Sequence, residues 1–218
     1  MVANKTFENL TDKRKLEIIE KCLIEFSLKD YKQASLTNVI KELELAKGSF
    51  YRYFDTKSHL YMYLIEYCTK MRFEFDQMAM NEMAIDMHAA LISNFKHKIA
   101  FDKQFPLHNA FLYKVSTDNT NHDVSEDLRK VEEKMLKLSK SFLSTYKGEL
   151  KTNISEDVLA YHLLKTQQTI TEYILFKHKV KWRSNIEQKK SFLSGVSERN
   201  MLEAANLFFM SLLSGIQK

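Results

Sequence analysis

A chain of 218 residues with one proline, Pro106, and four glycines has little with which to make tight turns. Hairpins draw on glycine, asparagine and proline for their special dihedral angles, and β-rich folds need many of them. In a helix interior proline costs about 3 kcal/mol and glycine about 1, so their scarcity leaves long helices unbroken. The chain therefore reads as all-α. Hydrophobic residues make up 44% of it, enough for a sizeable core in one large domain or two small ones.

Apolar spacing places the helices. Leu16, Ile19, Leu23 and Phe26 mark one over residues 11–28, with Thr11 as its cap. A short helix at 35–43 is capped by Ser35 and carries Leu36, Val39, Ile40 and Leu43 on one face. Another short one covers 46–54. Asp55 or Thr56 caps a long helix over 57–79, and a second long helix spans 82–103 with Ile85, Ala89, Ile92, Phe95 and Ile99 in a stripe. Pro106 suits the first turn of a helix to about Val115. Asp123, three before Glu126, resembles a capping box for a helix to Tyr146. Helices from Ser155 to about Trp182 and from Glu198 to Gly215 finish the chain, joined by a loop with a short helical turn.

The net charge of +5 permits an anionic partner without demanding one, and the basic excess is spread along the chain. Apolar runs reach only four to five residues, far short of the roughly 20 of a membrane helix, and the N-terminus has no apolar signal-like segment. A soluble, cytoplasmic protein without a membrane partner is expected. Cys22 and Cys68 lie in helical patterns without metal spacing and read as buried thiols in a reducing compartment. His88, His97, His108 and His122 lack the close pairing of a helical metal site, so no metal is expected. Two Ser-x-x-Lys pairs lack the companion motifs of acyl transfer, and no glycine-rich phosphate loop is present. No catalytic residue and no cofactor is assigned. The basic run Lys177–Arg183 reads as a solvated helix end.

Two short helices joined tightly suggest a helix-turn-helix, whose second helix enters the major groove of DNA. Such a helix packs with one face and offers small and polar groups with the other. In the stretch AKGSFYRYF, Leu45, Phe50 and Phe54 form one buried stripe. Lys47, Gly48, Ser49, Tyr51, Arg52 and Tyr53 then lie outside it or at its rim. Gly48 lets a backbone approach another surface closely. Lys47, Ser49, Arg52 and the two tyrosine hydroxyls suit phosphates or base edges. The helix start at Thr37 offers N–H groups to a phosphate, and Lys57 adds a charge.

The segment SLTNVIKELELAKGSFYRYFDTKSHL resembles the DNA-binding segment of the TetR family of transcriptional regulators. The shared pattern is a Ser/Thr-led helix, a four-residue turn, Lys-Gly-small-aromatic-Tyr-x-Tyr/His-Phe, then a lysine and an apolar residue. It covers about residues 11–60. The resemblance implies that Phe50 and Phe54 are core, while Tyr51, Tyr53 and Lys57 touch the DNA backbone. Two positions depart from it: Glu44 stands where glycine is usual and Ala46 where a serine cap is common. A positive φ at Glu44 costs about 1 kcal/mol, and a carboxylate there is unhelpful beside DNA.

The resemblance further implies a division into a DNA-binding domain, residues 1–56, and a helical ligand-sensing and dimerisation domain, residues 57–218. The last helix is apolar nearly all round, which means burial on more than one side. Leu159, Leu163, Ile170 and Ile174, with Met201, Ala205, Phe208, Phe209 and Leu212, are expected to form a two-fold, four-helix homodimer interface. An apolar effector pocket is expected among the middle helices. Its candidate lining is Met71, Phe75, Met78, Phe95 and Phe101, then Phe105, Phe111, Leu112, Phe142 and Tyr146. The expected function is a ligand-responsive homodimeric repressor, released from a palindromic operator by a small lipophilic effector. The alternative is an all-α enzyme or small-molecule carrier whose N-terminal helices are only structural.

Overall fold

The structure, a computed structural model, describes residues 3–79, 84–118, 120, 124–151 and 154–216. Asp123 and the side chain of Met78 lie outside the described residues. Every regular element among those described is a helix: α1 (Lys5–Glu8), α2 (Asp12–Leu28), α3 (Leu36–Glu42), α4 (Lys47–Tyr51), α5 (Lys57–Ala79), α6 (Met87–Gln104), α7 (Pro106–Thr117), α8 (Ser125–Thr145), α9 (Glu156–Lys177), α10 (Trp182–Glu187) and α11 (Glu198–Ile216), with a 3₁₀ turn at Lys147–Glu149. None is long and apolar enough to cross a membrane.

Short polar side chains set the helix starts. The Thr11 hydroxyl accepts the N–H of Arg14 at 3.4 Å, and Ser35 accepts that of Asn38 at 3.4 Å. Thr56, rather than Asp55, caps α5 by accepting the His59 N–H at 3.0 Å. Asp86 accepts the Ala89 N–H at 2.7 Å and starts α6. Ile85, expected on that helix's buried stripe, therefore precedes it and is 96% exposed. The helix expected to reach Trp182 ends at Lys177, because Lys179 turns left-handed at φ 48° and the chain restarts as α10. The helix expected over 46–54 stops at Tyr51, where a tighter turn takes over: the Tyr53 N–H bonds the Phe50 carbonyl at 2.9 Å. The single turn α1 has no counterpart in the sequence reading.

The chain forms two compact units, and residue 56 does not divide them. The first comprises residues 1–75, 102–125 and 183–192; the second comprises 76–101, 126–182 and 193–218. Packing makes the first unit discontinuous because α7 lies along α2. Phe26, Tyr31, Tyr61 and Phe111 form its aromatic centre, with ring centroids 5.0 Å apart for Phe26–Tyr61 and 5.5 Å for Tyr61–Phe111. Each such pair adds about 0.5–1.5 kcal/mol beyond burial. The α10 region belongs to the same unit: Phe192 stacks on Tyr113 at 5.2 Å, and Arg183 Nη1 donates to the Leu28 carbonyl at 2.9 Å. Buried Asp102 accepts from Asn109 Nδ2 at 2.9 Å and from the Ser191 hydroxyl.

In the second unit α9 packs on α11, and Phe95 of α6 meets Phe209 of α11 edge-on at 6.3 Å. Lys98 Nζ donates to the Thr171 hydroxyl at 2.9 Å and so ties α6 to α9. The Lys151 N–H bonds the Ile216 carbonyl at 2.8 Å, setting the start of α9 beside the end of α11.

Candidate nucleic-acid interface

Between α3 and α4 the chain reverses in four residues. The Leu45 N–H reaches back to the Ile40 carbonyl at 3.1 Å and the Glu44 N–H to that of Lys41 at 3.1 Å. This closure requires a left-handed residue, and Glu44 supplies it at φ 53°. The expectation of a positive φ there holds, with its cost of about 1 kcal/mol. Part of that cost is offset across the fold, where Arg14 Nη2 donates to the Leu43 carbonyl at 2.9 Å. Glu42 is ion-paired with Lys21 at 2.9 Å.

The turn places α4 with one face in and one face out. Phe50 is fully buried and Phe54 is 1% exposed, as the stripe predicted. Lys47, Gly48, Tyr51 and Arg52 are exposed, and Ser49 is half-buried. Thr37, near the start of α3, is exposed as well. Gly48 sits in an ordinary helical conformation, and a Cβ built there would meet nothing within 4 Å. Neither local conformation nor packing inside this chain asks for glycine. Its helix penalty, about 0.5–1 kcal/mol against alanine, is unexplained by the fold alone.

Two expected contact residues are committed elsewhere. Tyr53 is half-buried, with its ring 6.0 Å from Phe7 and 6.5 Å from Phe50. Lys57 turns toward the α2–α3 loop: its Nζ donates to the Ala34 carbonyl at 2.7 Å and to that of Lys32 at 3.3 Å, and lies 4.8 Å above the Tyr31 ring. Within this chain Lys57, expected at the DNA backbone, clasps the α2–α3 loop. The sequence reading missed the residues that hold the site: Asn4, Thr6, Phe7, Arg14 and Asp118. Asp118 is 6% exposed and accepts the Tyr31 N–H and both the N–H and the hydroxyl of Thr120. Only Phe7, an aromatic in a polar stretch, left any trace in the sequence.

Nine of the ten effector-lining candidates have described side chains, and they divide between the two units. Met71, Phe75, Phe105, Phe111 and Leu112 fall in the first unit; Phe95, Phe101, Phe142 and Tyr146 fall in the second. Phe95, Phe101 and Phe111 are buried at 2% exposure or less, Phe95 against Phe209 and Phe111 against Tyr61. A shallow depression open to solvent between α6 and α11 is lined by other residues, among them His88, Ile92, Lys96, Leu202 and Glu203. The interface candidates need a similar correction. Leu159, Leu163, Ile170, Ile174, Met201, Ala205 and Phe209 are buried at 5% exposure or less, so they leave no surface for a partner. Phe208 and Leu212 keep some surface, and the exposed apolar residues beside them are Leu207 and Met210 on α11.

Residues 18–64 match the sequence pattern of bacterial regulatory proteins of the tetR family. Over its whole length the chain shares the fold of a TetR family transcriptional regulator from Chloroflexus aurantiacus, at 20% identity, 100% coverage of both chains and a TM-score of 0.77. The ketosteroid transcriptional regulator KstR2 of Mycobacterium tuberculosis aligns at 12% identity over 96% of this chain and 97% of its own, with a TM-score of 0.62. A γ-butyrolactone receptor described as ArpA-like aligns at 15% identity over 82% of this chain and 98% of its own, with a TM-score of 0.52. No curated protein matches the chain by sequence.

Proposed function

We infer, for a chain whose residues 18–64 match the sequence pattern of bacterial regulatory proteins of the tetR family and whose whole length shares the fold of such a regulator, a homodimeric transcriptional repressor that an effector releases from its operator. The observation that carries the DNA-binding part is the outer face of α4. Lys47, Tyr51 and Arg52 surround Gly48 there, and Gly48 makes sense only if another surface comes close. Cations and hydroxyls around a smooth backbone suit a phosphate-lined groove. Thr37 and Ser49 extend the same contact set. Two copies reading a near-palindrome need their α4 helices about 34–36 Å apart, one turn of B-DNA.

The dimer would use the outer stripe of α11, where Leu207 is 59% and Met210 56% exposed, with Phe208 and Leu212 beneath it. A lipophilic effector is in keeping with the ketosteroid regulator and the γ-butyrolactone receptor that share the fold. Release requires only that the effector favour the state whose two reading helices no longer match the operator. A shift from almost full to almost no occupancy needs about 5 kcal/mol of such preference. Gel shift against the DNA upstream of the protein's own coding sequence tests the reading. A retarded band that outlasts a large excess of unrelated duplex is expected. Binding no tighter than to unrelated duplex, at low salt and without effector, would reject it.

A further inference from the structure

The helix α4 has five residues, and its first turn has no side-chain cap at Ala46. An isolated helix this short does not persist in water. Its far end is held from outside the helix-turn-helix. Asn4 donates its backbone N–H to the Tyr53 carbonyl at 3.2 Å, and its Nδ2 to the Arg52 carbonyl at 3.3 Å and to Asp55 Oδ1 at 2.8 Å. The Thr6 hydroxyl donates to the same Arg52 carbonyl. Phe7, fully buried, presses on Tyr53, on Phe54 at 4.9 Å and on Tyr63 at 5.6 Å. The segment is itself tied to α2 through Lys15 and Glu8 at 3.3 Å.

Resting on the reading of α4 as the helix that meets DNA, we propose that Asn4, Thr6 and Phe7 are positioning residues for sequence recognition, capping α4 from the N-terminal segment and fixing the angle at which Gly48, Tyr51 and Arg52 approach the bases. Arg52 is the joint. Its carbonyl is held by two donors while its side chain stands exposed. Base-edge hydrogen bonds tolerate little angular error, about 10–20°. Attraction to phosphates tolerates far more, because it depends on charge and not on alignment. Loosening the clasp therefore removes discrimination between sequences and leaves general affinity for DNA.

The test uses the full chain, a duplex selected by the unaltered protein from a random-sequence pool, and an unrelated duplex of equal length. Thr6→Val and Asn4→Ala should each weaken binding to the selected duplex about tenfold, the cost of one poor base contact, with binding to the unrelated duplex nearly unchanged. Thr6→Ser, which keeps the hydroxyl, should restore discrimination. The salt dependence of Thr6→Val should match the unaltered protein, whereas Lys47→Ala should lower the slope by about one phosphate. Thr6→Val preserves volume at a half-buried position, so it carries the test if Asn4→Ala loses helicity. Equal losses on both duplexes, or a reduced salt slope in Thr6→Val, would overturn the proposal. If the unaltered protein selects no duplex from the pool, the DNA-reading role fails and the positioning role with it. If it selects one and the variants discriminate as well as it does, the positioning role alone fails.

Discussion

Gly48 has room for a methyl group on every side and carries none. Gly48→Ala should raise folding stability by about 0.5–1 kcal/mol, because alanine loses less entropy in a helix. On the proposed reading of α4, the same change should weaken operator binding, since the methyl group would stand between the helix and the DNA. Thermal unfolding and gel shift on one preparation check the pair of outcomes. His108 makes a second prediction. Burial beside Tyr67 and Phe105 lowers its pKa from 6.5 to about 4, only partly countered by Glu20. Between those two values the unfolded chain binds a proton that the folded chain refuses. Stability should therefore fall as pH drops through that window, by about 2–3 kcal/mol, and change no further from this source below it. Denaturant titrations at pH 7 and 4.5 should show the loss in the unaltered chain and a smaller one in His108→Phe. Residue-level detail was partly legible in the sequence. Phe50 and Phe54 had to be inside because helix periodicity puts them on one stripe. The bond of Lys57 to the Ala34 carbonyl, 23 residues away, was not legible, because a lysine's partner has no signature in local sequence.

The helices themselves followed from apolar spacing and caps, and their ends missed where tertiary contacts decided them. α4 stops early because the chain tightens into i→i+3 bonding, the Tyr53 N–H reaching the Phe50 carbonyl at 2.9 Å, and Asn4 and Thr6 then hold the Arg52 carbonyl left beyond it. α1 escaped notice because four residues are too few for any periodicity to show. On α11 the sequence showed apolar residues nearly all round, which implies two burying surfaces without saying which residue faces which. The structure turns Phe209 inward, fully buried, and Leu207 outward. Leu207→Glu should therefore give folded monomers by sedimentation, whereas Phe209→Glu should unfold the chain by several kcal/mol. Dimers that survive Leu207→Glu would move the interface off this helix.

For the whole molecule, the fold class was legible from the near absence of helix breakers, and the division into units was not. The boundary at residue 56 came with the family resemblance. Packing draws α7 and residues 183–187 of α10 into the same unit as α4. A fragment of residues 1–56 should accordingly show little stable helix by circular dichroism, since it lacks Tyr61, Phe111 and the α7 surface on which α2 lies. A cooperatively folded fragment would contradict this.

That unit also incorporates Phe192, stacked on Tyr113, and Arg183, which holds the Leu28 carbonyl 155 residues earlier in the chain. Domains commonly fold in order of synthesis, N-terminal first. Here a ribosome has added α2 long before the segment that completes its unit. A product truncated before Arg183 would therefore lack part of the packing around α2 and α7.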